Sequence, residues 1–188
     1  MSAAGAPSAT ATVEQVVLLD PTGAPIGVMD KAEVHTADTP LHLAFSCYAF
    51  DQHGRMLLTR RALQKRTWPG VWTNTACGHP APGEPIEEAV RRRLATELGV
   101  TPLALRSVLP DFRYRAVAPD GIVENEVCPV YLAELAGDPV PDPDEVMDWQ
   151  WVDPAAFVRT TVEAPFLLSP WSVLQARALV ETGVLPAI

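Results

Sequence analysis

Basic charge is scarce in this chain. Its 14 Lys and Arg are outnumbered by 23 Asp and Glu, leaving a formal net charge of -9, whereas polyanions such as nucleic acid are bound through clustered Lys and Arg. A nucleic-acid partner is therefore not expected, although a few local basic residues suffice for a small anion. Long apolar runs are missing too. None approaches the roughly 20 residues needed to span a bilayer, so no membrane partner is expected, and the first dozen residues lack the basic and then apolar layout of a secretory signal. Cysteine is sparse: Cys47, Cys77 and Cys128 are an odd number without a pairing pattern, which argues against a disulfide framework and for a reducing, cytoplasmic location. Cys47 and Cys128 sit in apolar runs and read as small buried hydrophobes. There are no internal repeats. No heptad or interface stripe marks an oligomer, so monomer and homodimer both stand.

What the chain does have is apolar content, 48% of 188 residues, enough for one domain with a sizeable core. Met1–Thr12, almost wholly Ala, Ser, Thr, Gly and Pro, reads as a disordered leader, and a single domain is expected over residues 13–185. Val16–Asp20 predicts a strand, Pro21-Thr22-Gly23 a turn, and Leu41–Asp51 one long buried strand turning at His53-Gly54 into Met56–Thr59. Ile86–Leu98 predicts a helix, with Pro85 at its start, Glu87 and Glu88 in its first turn and Gly99 as its stop. Strands are expected at Leu105–Leu109, around Tyr114 and over Val127–Leu135, the last two joined through Pro119-Asp120-Gly121. Pro139–Asp144 reads as a rigid acidic loop, Val146–Val152 as a strand and Pro170–Glu181 as a closing helix. The pattern is α/β, in the α+β sense: a mixed β-sheet flanked by helices.

Two triplets carry the chemistry. Cys77-Gly78-His79 and Glu124-Asn125-Glu126 would each, on a strand, aim the outer pair of side chains at one spot. Lys31–His42 adds His35 and His42, so three segments offer three imidazoles, two carboxylates and a thiol. That donor set suits Zn²⁺ or Mn²⁺ better than Ca²⁺. Singly, each His would more often be an ordinary polar residue; the constellation reverses that. His53, in a hairpin turn, stays ordinary.

From Gly78 the spacing Gly-x5-Glu84-x7-Arg92, then Leu94, Glu97, Gly99 and Val100, resembles the Nudix box, a loop-helix-loop that binds divalent metal and diphosphate. Arg93 and Thr96 stand where that box has two metal-binding carboxylates, which weakens the diphosphate-hydrolase expectation and leaves the fold expectation intact. With Cys-Gly-His at the box's start and Glu-Asn-Glu downstream, the chain resembles the type I isopentenyl-diphosphate isomerases over roughly Val16–Val180. Trp68–Pro80, the Phe112-Arg113-Tyr114-Arg115 segment, Trp149-Gln150-Trp151 and Ser169-Pro170-Trp171 all take part in that similarity.

The resemblance implies a Nudix-like fold and conversion of isopentenyl diphosphate to dimethylallyl diphosphate through a tertiary carbocation. It implies Cys77 and Glu126 as the two proton carriers, with their order open, and Tyr114 as a hydrogen-bond partner of Glu126. Trp171 would lie against the reacting carbons, and simple packing is the plain alternative for both aromatics. His35, His42, His79, Glu124 and Glu126 would hold a divalent metal, Mn²⁺ or Zn²⁺. Glu97 would help hold Mg²⁺ with the diphosphate; its alternative is an ion pair with Arg93 on the helix surface, about 0.3 to 0.5 kcal/mol. Lys31, Arg61, Lys65 and Arg93 would bind the diphosphate, as guanidinium forks suit phosphate oxygens. Two rivals stand beside this expectation: a Nudix hydrolase, distinguished by phosphate release, and a non-catalytic module with a closed structural metal site.

Overall fold

The computed structural model describes residues 14–188, so the leader expected over Met1–Thr12 lies outside the described residues. Strands β1 (Gln15–Leu19) and β2 (Pro25–Asp30) form an antiparallel hairpin. Asp20 closes it by accepting the backbone N–H groups of Thr22 and Ala24 at 2.8 and 2.9 Å, the local side-chain bonding that makes Asp a turn residue. A single helical turn, α1 (Lys31–Val34), leads to β3 (His42–Leu43) and β4 (Phe45–Phe50). Then come β5 (Met56–Arg61), β6 (Trp72–Thr73), β7 (Ala76–Gly78) and helix α2 (Ile86–Leu98). Five strands follow: β8 (Ala104–Leu109), β9 (Arg113–Val117), β10 (Val123–Val127), β11 (Val130–Glu134) and β12 (Val146–Val152). The chain ends with α3 (Pro154–Glu163), a short 3-10 turn at Pro165–Leu167, and α4 (Pro170–Glu181).

The mixed pairing expected from the sequence is divided between two sheets, ordered β2-β1-β3-β10-β9 and β12-β5-β4-β11-β8, with β6 on β5 and β7 on β4. Two expectations change as a result. The run Leu41–Asp51 is not one strand: it leaves one sheet at Leu43 and enters the other at Phe45. Val127–Leu135 is divided in the same way at Cys128-Pro129, because proline has no N–H to continue a ladder. The hairpin through Pro119-Asp120-Gly121 therefore joins β9 to β10, not to β11. The two crossings run side by side, with β3 parallel to β10 and β4 parallel to β11. Backbone bonds from Ala44 to Val127 (2.9 Å) and from Ser46 to Pro129 (3.0 Å) stitch them together.

Period-2 alternation on β4 gives the larger sheet two apolar faces. Phe45, Cys47 and Ala49 pack with Ala89, Val90, Leu94 and Leu98 of α2. Tyr48 points the other way, toward Phe157 and Val158 of α3 and Ala176 and Leu179 of α4. Helix α2 stops as expected at Gly99, whose φ of 65° is left-handed and whose N–H bonds the Ala95 carbonyl. A Cβ there would also stand 2.9 Å from the Val140 carbonyl oxygen.

Candidate active site

A cleft of about 500 Å³ opens where the sheets part, walled by Lys31, His35, Arg61, Lys65, Cys77, His79, Arg93, Tyr114, Glu124, Glu126 and Trp171. Of the residues expected from the sequence, only His42 and Glu97 are not in its wall. His42 is fully buried, and Glu97 lines a small adjoining pocket shared with Cys77, Arg61 and Lys65.

Strand geometry positions the acids. Glu124 and Glu126 alternate with Asn125 on β10, and Asn125 turns away to donate to the Thr39 carbonyl at 3.1 Å. In the sheet, Glu126 is flanked by His42 of β3 on one side and Tyr114 of β9 on the other. Among the described residues no hydrogen bond joins the Tyr114 hydroxyl to Glu126. The Tyr114 ring instead lies 6.0 Å from that of Trp171. Cys77 comes from the other sheet, on β7, so two sheets supply opposed groups to one cleft.

The box spacing explains how His79 is held. Arg92 makes a two-pronged pair with Glu84, Nε to Oε1 at 2.8 Å and Nη2 to Oε2 at 2.7 Å, and Nη2 also donates to the His79 carbonyl at 3.2 Å. Glu84 accepts the Ala81 N–H at 2.8 Å, which ties the loop between β7 and α2 to the helix.

His35, His42, His79 and Glu126 place one donor atom each within 4.8 Å of one another. The imidazole centroids form a triangle with sides of 5.1, 5.3 and 5.6 Å. Glu124 joins from the side, its Oε2 2.8 Å from His35 Nε2. His79 Nε2 and His42 Nε2 lie 3.3 and 3.5 Å from Glu126 Oε1. Despite this proximity, among the described residues His35 Nε2, His42 Nε2, both His79 ring nitrogens and Glu124 Oε2 have no hydrogen-bond partner. These atoms are close in distance but aimed past one another, as ligands converging on a shared centre would be. Buried polar atoms left unpaired are costly, and a divalent cation would satisfy them. The tautomer agrees: His42 Nδ1 lies 2.9 Å from the Pro40 carbonyl, so in the neutral ring it donates there and leaves Nε2 a free lone pair. The residues fit a divalent metal.

Charge in the cluster follows from its crowding. Burial pushes Glu126 up, but His42 and His79 beside it more than reverse this and hold its carboxyl well below the usual range. Burial lowers His79 despite Glu126. The Cys77 thiol is pushed up to about 11 by burial, against its hydrogen bonds with Ser46 and Asn74, and therefore keeps its proton at neutral pH.

The basic residues frame the rest of the cleft. Arg61 donates through Nε and Nη2 to the Thr67 carbonyl at 3.0 and 2.8 Å, with its guanidinium 5.5 Å from the Trp171 ring centroid. Lys65 pairs with Glu145, and Lys31 with Glu14 at 2.6 Å. Arg93 does pair with Glu97, Nη1 to Oε1 at 3.2 Å, but both side chains are about nine-tenths buried, so this is not the surface pair that helix spacing suggests. Among the described residues Arg93 Nε is buried without a partner, a donor left for an anion. Gly78 makes room for it: a Cβ there would stand 2.9 Å from Arg93 Cγ and Nε.

Sequence reasoning missed four groups. Trp68 packs edge-on against Trp171 at 5.3 Å from a left-handed backbone, φ 43°, a strained conformation for a bulky residue of the kind often found at functional sites. Ser46, Asn74 and Gln175 lie fully buried behind Cys77. The Trp68-Pro69-Gly70 turn chemistry marked a bend at the first; the other three carry no local signal.

The comparisons with known proteins agree with this geometry. A family model described as the NUDIX domain matches residues 40–171. A solved structure from Deinococcus radiodurans shares the fold, with a TM-score of 0.70 over 88% of this chain and 98% of that one at 17% identity. The isopentenyl-diphosphate Delta-isomerase of Frankia alni is 57% identical over 178 residues, 95% of this chain and 92% of that protein. Its namesake in Mycolicibacterium vanbaalenii is 58% identical over 175 residues, 93% and 96% of the two chains. The fold is thus that of a Nudix-domain protein, and the chain belongs to the isopentenyl-diphosphate Delta-isomerase family. Among the described residues no helix is long and apolar enough to cross a membrane.

Proposed function

We propose that this chain converts isopentenyl diphosphate to dimethylallyl diphosphate. One carrier delivers a proton to the terminal alkene carbon, leaving a tertiary carbocation, and the other removes a proton from the neighbouring methylene. No atom is lost and the diphosphate stays attached. The observation that carries the proposal is that Cys77 and Glu126, from different sheets, wall the same cleft as His35, His79 and Arg93, whose Nε has no partner among the described residues.

Each requirement of the chemistry has a residue here. Cys77 and Glu126 are the proton carriers. Trp171 lies against the reacting carbons, its face stabilising positive charge by about 2 kcal/mol when desolvated. Tyr114 and Trp171 in the cleft wall, the latter backed by Trp68, exclude water from the cation. Lys31, Arg61, Lys65 and Arg93 bind the diphosphate, for which guanidinium forks are well shaped. His35, His42, His79, Glu124 and Glu126 would hold Mn²⁺ or Zn²⁺, and Glu97 would help hold Mg²⁺ with the diphosphate. When bound, these cations neutralise the diphosphate and the clustered carboxylates. The three free thiols support a cytoplasmic location.

A closed structural metal site, the feature that would favour a non-catalytic module, is not what surrounds these histidines, since the cluster opens onto the cleft. Incubation of purified protein with isopentenyl diphosphate, Mg²⁺ and Mn²⁺ in deuterated water should yield deuterium-labelled dimethylallyl diphosphate and no free phosphate. Cys77→Ala and Glu126→Gln should each abolish turnover while the protein still melts cooperatively. Phosphate release without labelled isomer would move the assignment to a hydrolase.

A further inference from the structure

Behind Cys77 the core contains a chain of polar side chains that the proton chemistry has not used. Ser46 of β4 and Cys77 of β7 are directly opposed in an antiparallel pair, so their side chains project to the same side and meet: Ser46 Oγ lies 3.4 Å from Cys77 Sγ. Gln175 of α4 donates from Nε2 to Ser46 Oγ at 2.8 Å, and the Tyr48 hydroxyl donates to Gln175 Oε1 at 2.9 Å. Ser46, Tyr48 and Gln175 are all fully buried. A core built only for stability would gain by replacing them with apolar groups of the same shape.

The donor count shows where this chain ends. A serine hydroxyl has one proton and two lone pairs. Gln175 fills one lone pair, and Cys128 Sγ, 3.4 Å from Ser46 Oγ, can donate to the other. The hydroxyl proton is then left for the Cys77 sulfur. On its other side Cys77 donates to Asn74 Oδ1 at 3.2 Å. Asn74 Nδ2 is anchored to the carbonyls of Ala76 and Cys47 at 2.8 and 3.1 Å. The sulfur is held between a donor and an acceptor, each of them fixed from behind.

We propose that Ser46, oriented by Gln175, is a positioning residue for Cys77: it fixes the sulfur at the cleft wall and leaves diphosphate binding untouched. The proposal rests on Cys77 being a proton carrier. Its test is steady-state kinetics with isopentenyl diphosphate and Mg²⁺ on Ser46→Ala, Gln175→Met and Tyr48→Phe, with a thermal melt of each. Misplacing a reacting group can cost up to about a hundredfold in rate, so Ser46→Ala should lower kcat about 10- to 100-fold with KM within about twofold. Gln175→Met, one bond further away, should lower kcat less, by about 3- to 10-fold, and Tyr48→Phe least. A purely structural role would instead lower the melting temperature and leave kcat per folded molecule flat.

Wild-type-like kcat in both Ser46→Ala and Gln175→Met overturns the proposal, as does a raised KM with unchanged kcat. If Ser46→Ala alone fails to fold, Gln175→Met decides. Loss of the cooperative melt in both assigns the chain of bonds to the fold and also overturns it. Cys77→Ala, run alongside, separates the two levels: if it turns over normally, the proton-carrier assignment itself fails. If it is inactive while Ser46→Ala and Gln175→Met are both normal, only the positioning role fails.

Discussion

Replacing Arg92 by Leu should weaken metal binding although, among the described residues, Arg92 makes no hydrogen bond to the ring of a proposed metal ligand. Its guanidinium holds the His79 carbonyl at 3.2 Å and pairs with Glu84 through bonds of 2.8 and 2.7 Å. His79 is therefore fixed through its backbone by a residue of α2. Loss of a partner that orients a metal-ligating histidine costs about 10- to 100-fold in metal affinity, which a titration of Mn²⁺ or Zn²⁺ against a competing chelator measures. Stability should also fall. A two-pronged pair of this kind would contribute several kcal/mol if dry, but the Arg92 side chain is 38% exposed, so about 1 kcal/mol is expected after screening. The pH dependence identifies the source. The bond from Arg92 lowers the Glu84 carboxyl below its ordinary 4.5, so the pair's contribution is full above that value and is lost as pH falls through the depressed one. Denaturant unfolding of wild type and variant, compared on metal-free protein, should show a gap that is constant from about pH 8 to about pH 6 and narrows as pH falls below the ordinary carboxyl value of 4.5. A gap that persists in acid, or a metal affinity unchanged within about twofold, would refute the argument.

Alkylation should single out one thiol. Cys47 and Cys128 are fully buried while Cys77 faces the cleft, so iodoacetamide should label Cys77 alone in chelator-treated native protein, as read by peptide mass mapping. Because burial holds that thiol near 11, the labelling rate should rise about tenfold per pH unit well past pH 8; a plateau there would mean that the thiol is not buried in this way. Gly78→Ala should displace Arg93, since the added Cβ would stand 2.9 Å from Arg93 Nε and 3.0 Å from the fully buried Phe45 ring. Losing one charged contact to the diphosphate should raise KM about tenfold with a smaller change in kcat, and an unchanged KM would show that Arg93 does not meet the substrate.

How much of this was legible without coordinates depends on whether each signal is local. Ile86–Leu98 was readable to the residue because acidic residues open its first turn and Gly99 supplies the left-handed stop. Val146–Val152 was equally plain. The break at Ala44 was not, because continuous burial on both sides of a strand switch reads as one buried strand. Helix α3 was overlooked although its signal was present: Asp153 accepts the Ala156 N–H at 2.9 Å and Pro154 occupies the first turn, a start pattern as good as that of α4. Strand β2 is largely exposed and lacks the apolar alternation that marks a half-buried strand.

The site divides along the same line. Glu124 and Glu126 declare themselves by period-2 spacing, and the histidines by number. Their convergence, however, depends on two chain crossings that only the sheet pairing reveals. Ser46 is a bland serine in an apolar run until β7 is laid antiparallel to β4 and places it opposite Cys77. Gln175 is 129 positions from Ser46, and Trp171 is 97 from Asn74, to whose Oδ1 its indole N–H donates at 2.9 Å. Asn74 Oδ1 thus receives both the thiol and the indole, so one buried amide holds the proposed proton carrier and the aromatic ring beside it in a common frame. A reaction that passes through a carbocation needs that register, because the proton must arrive where the positive charge is stabilised. Residues that act by touching substrate can be read from the type and spacing of their side chains. Residues that keep two such groups in step act through the fold, and their chemistry is visible only once the fold has brought them together.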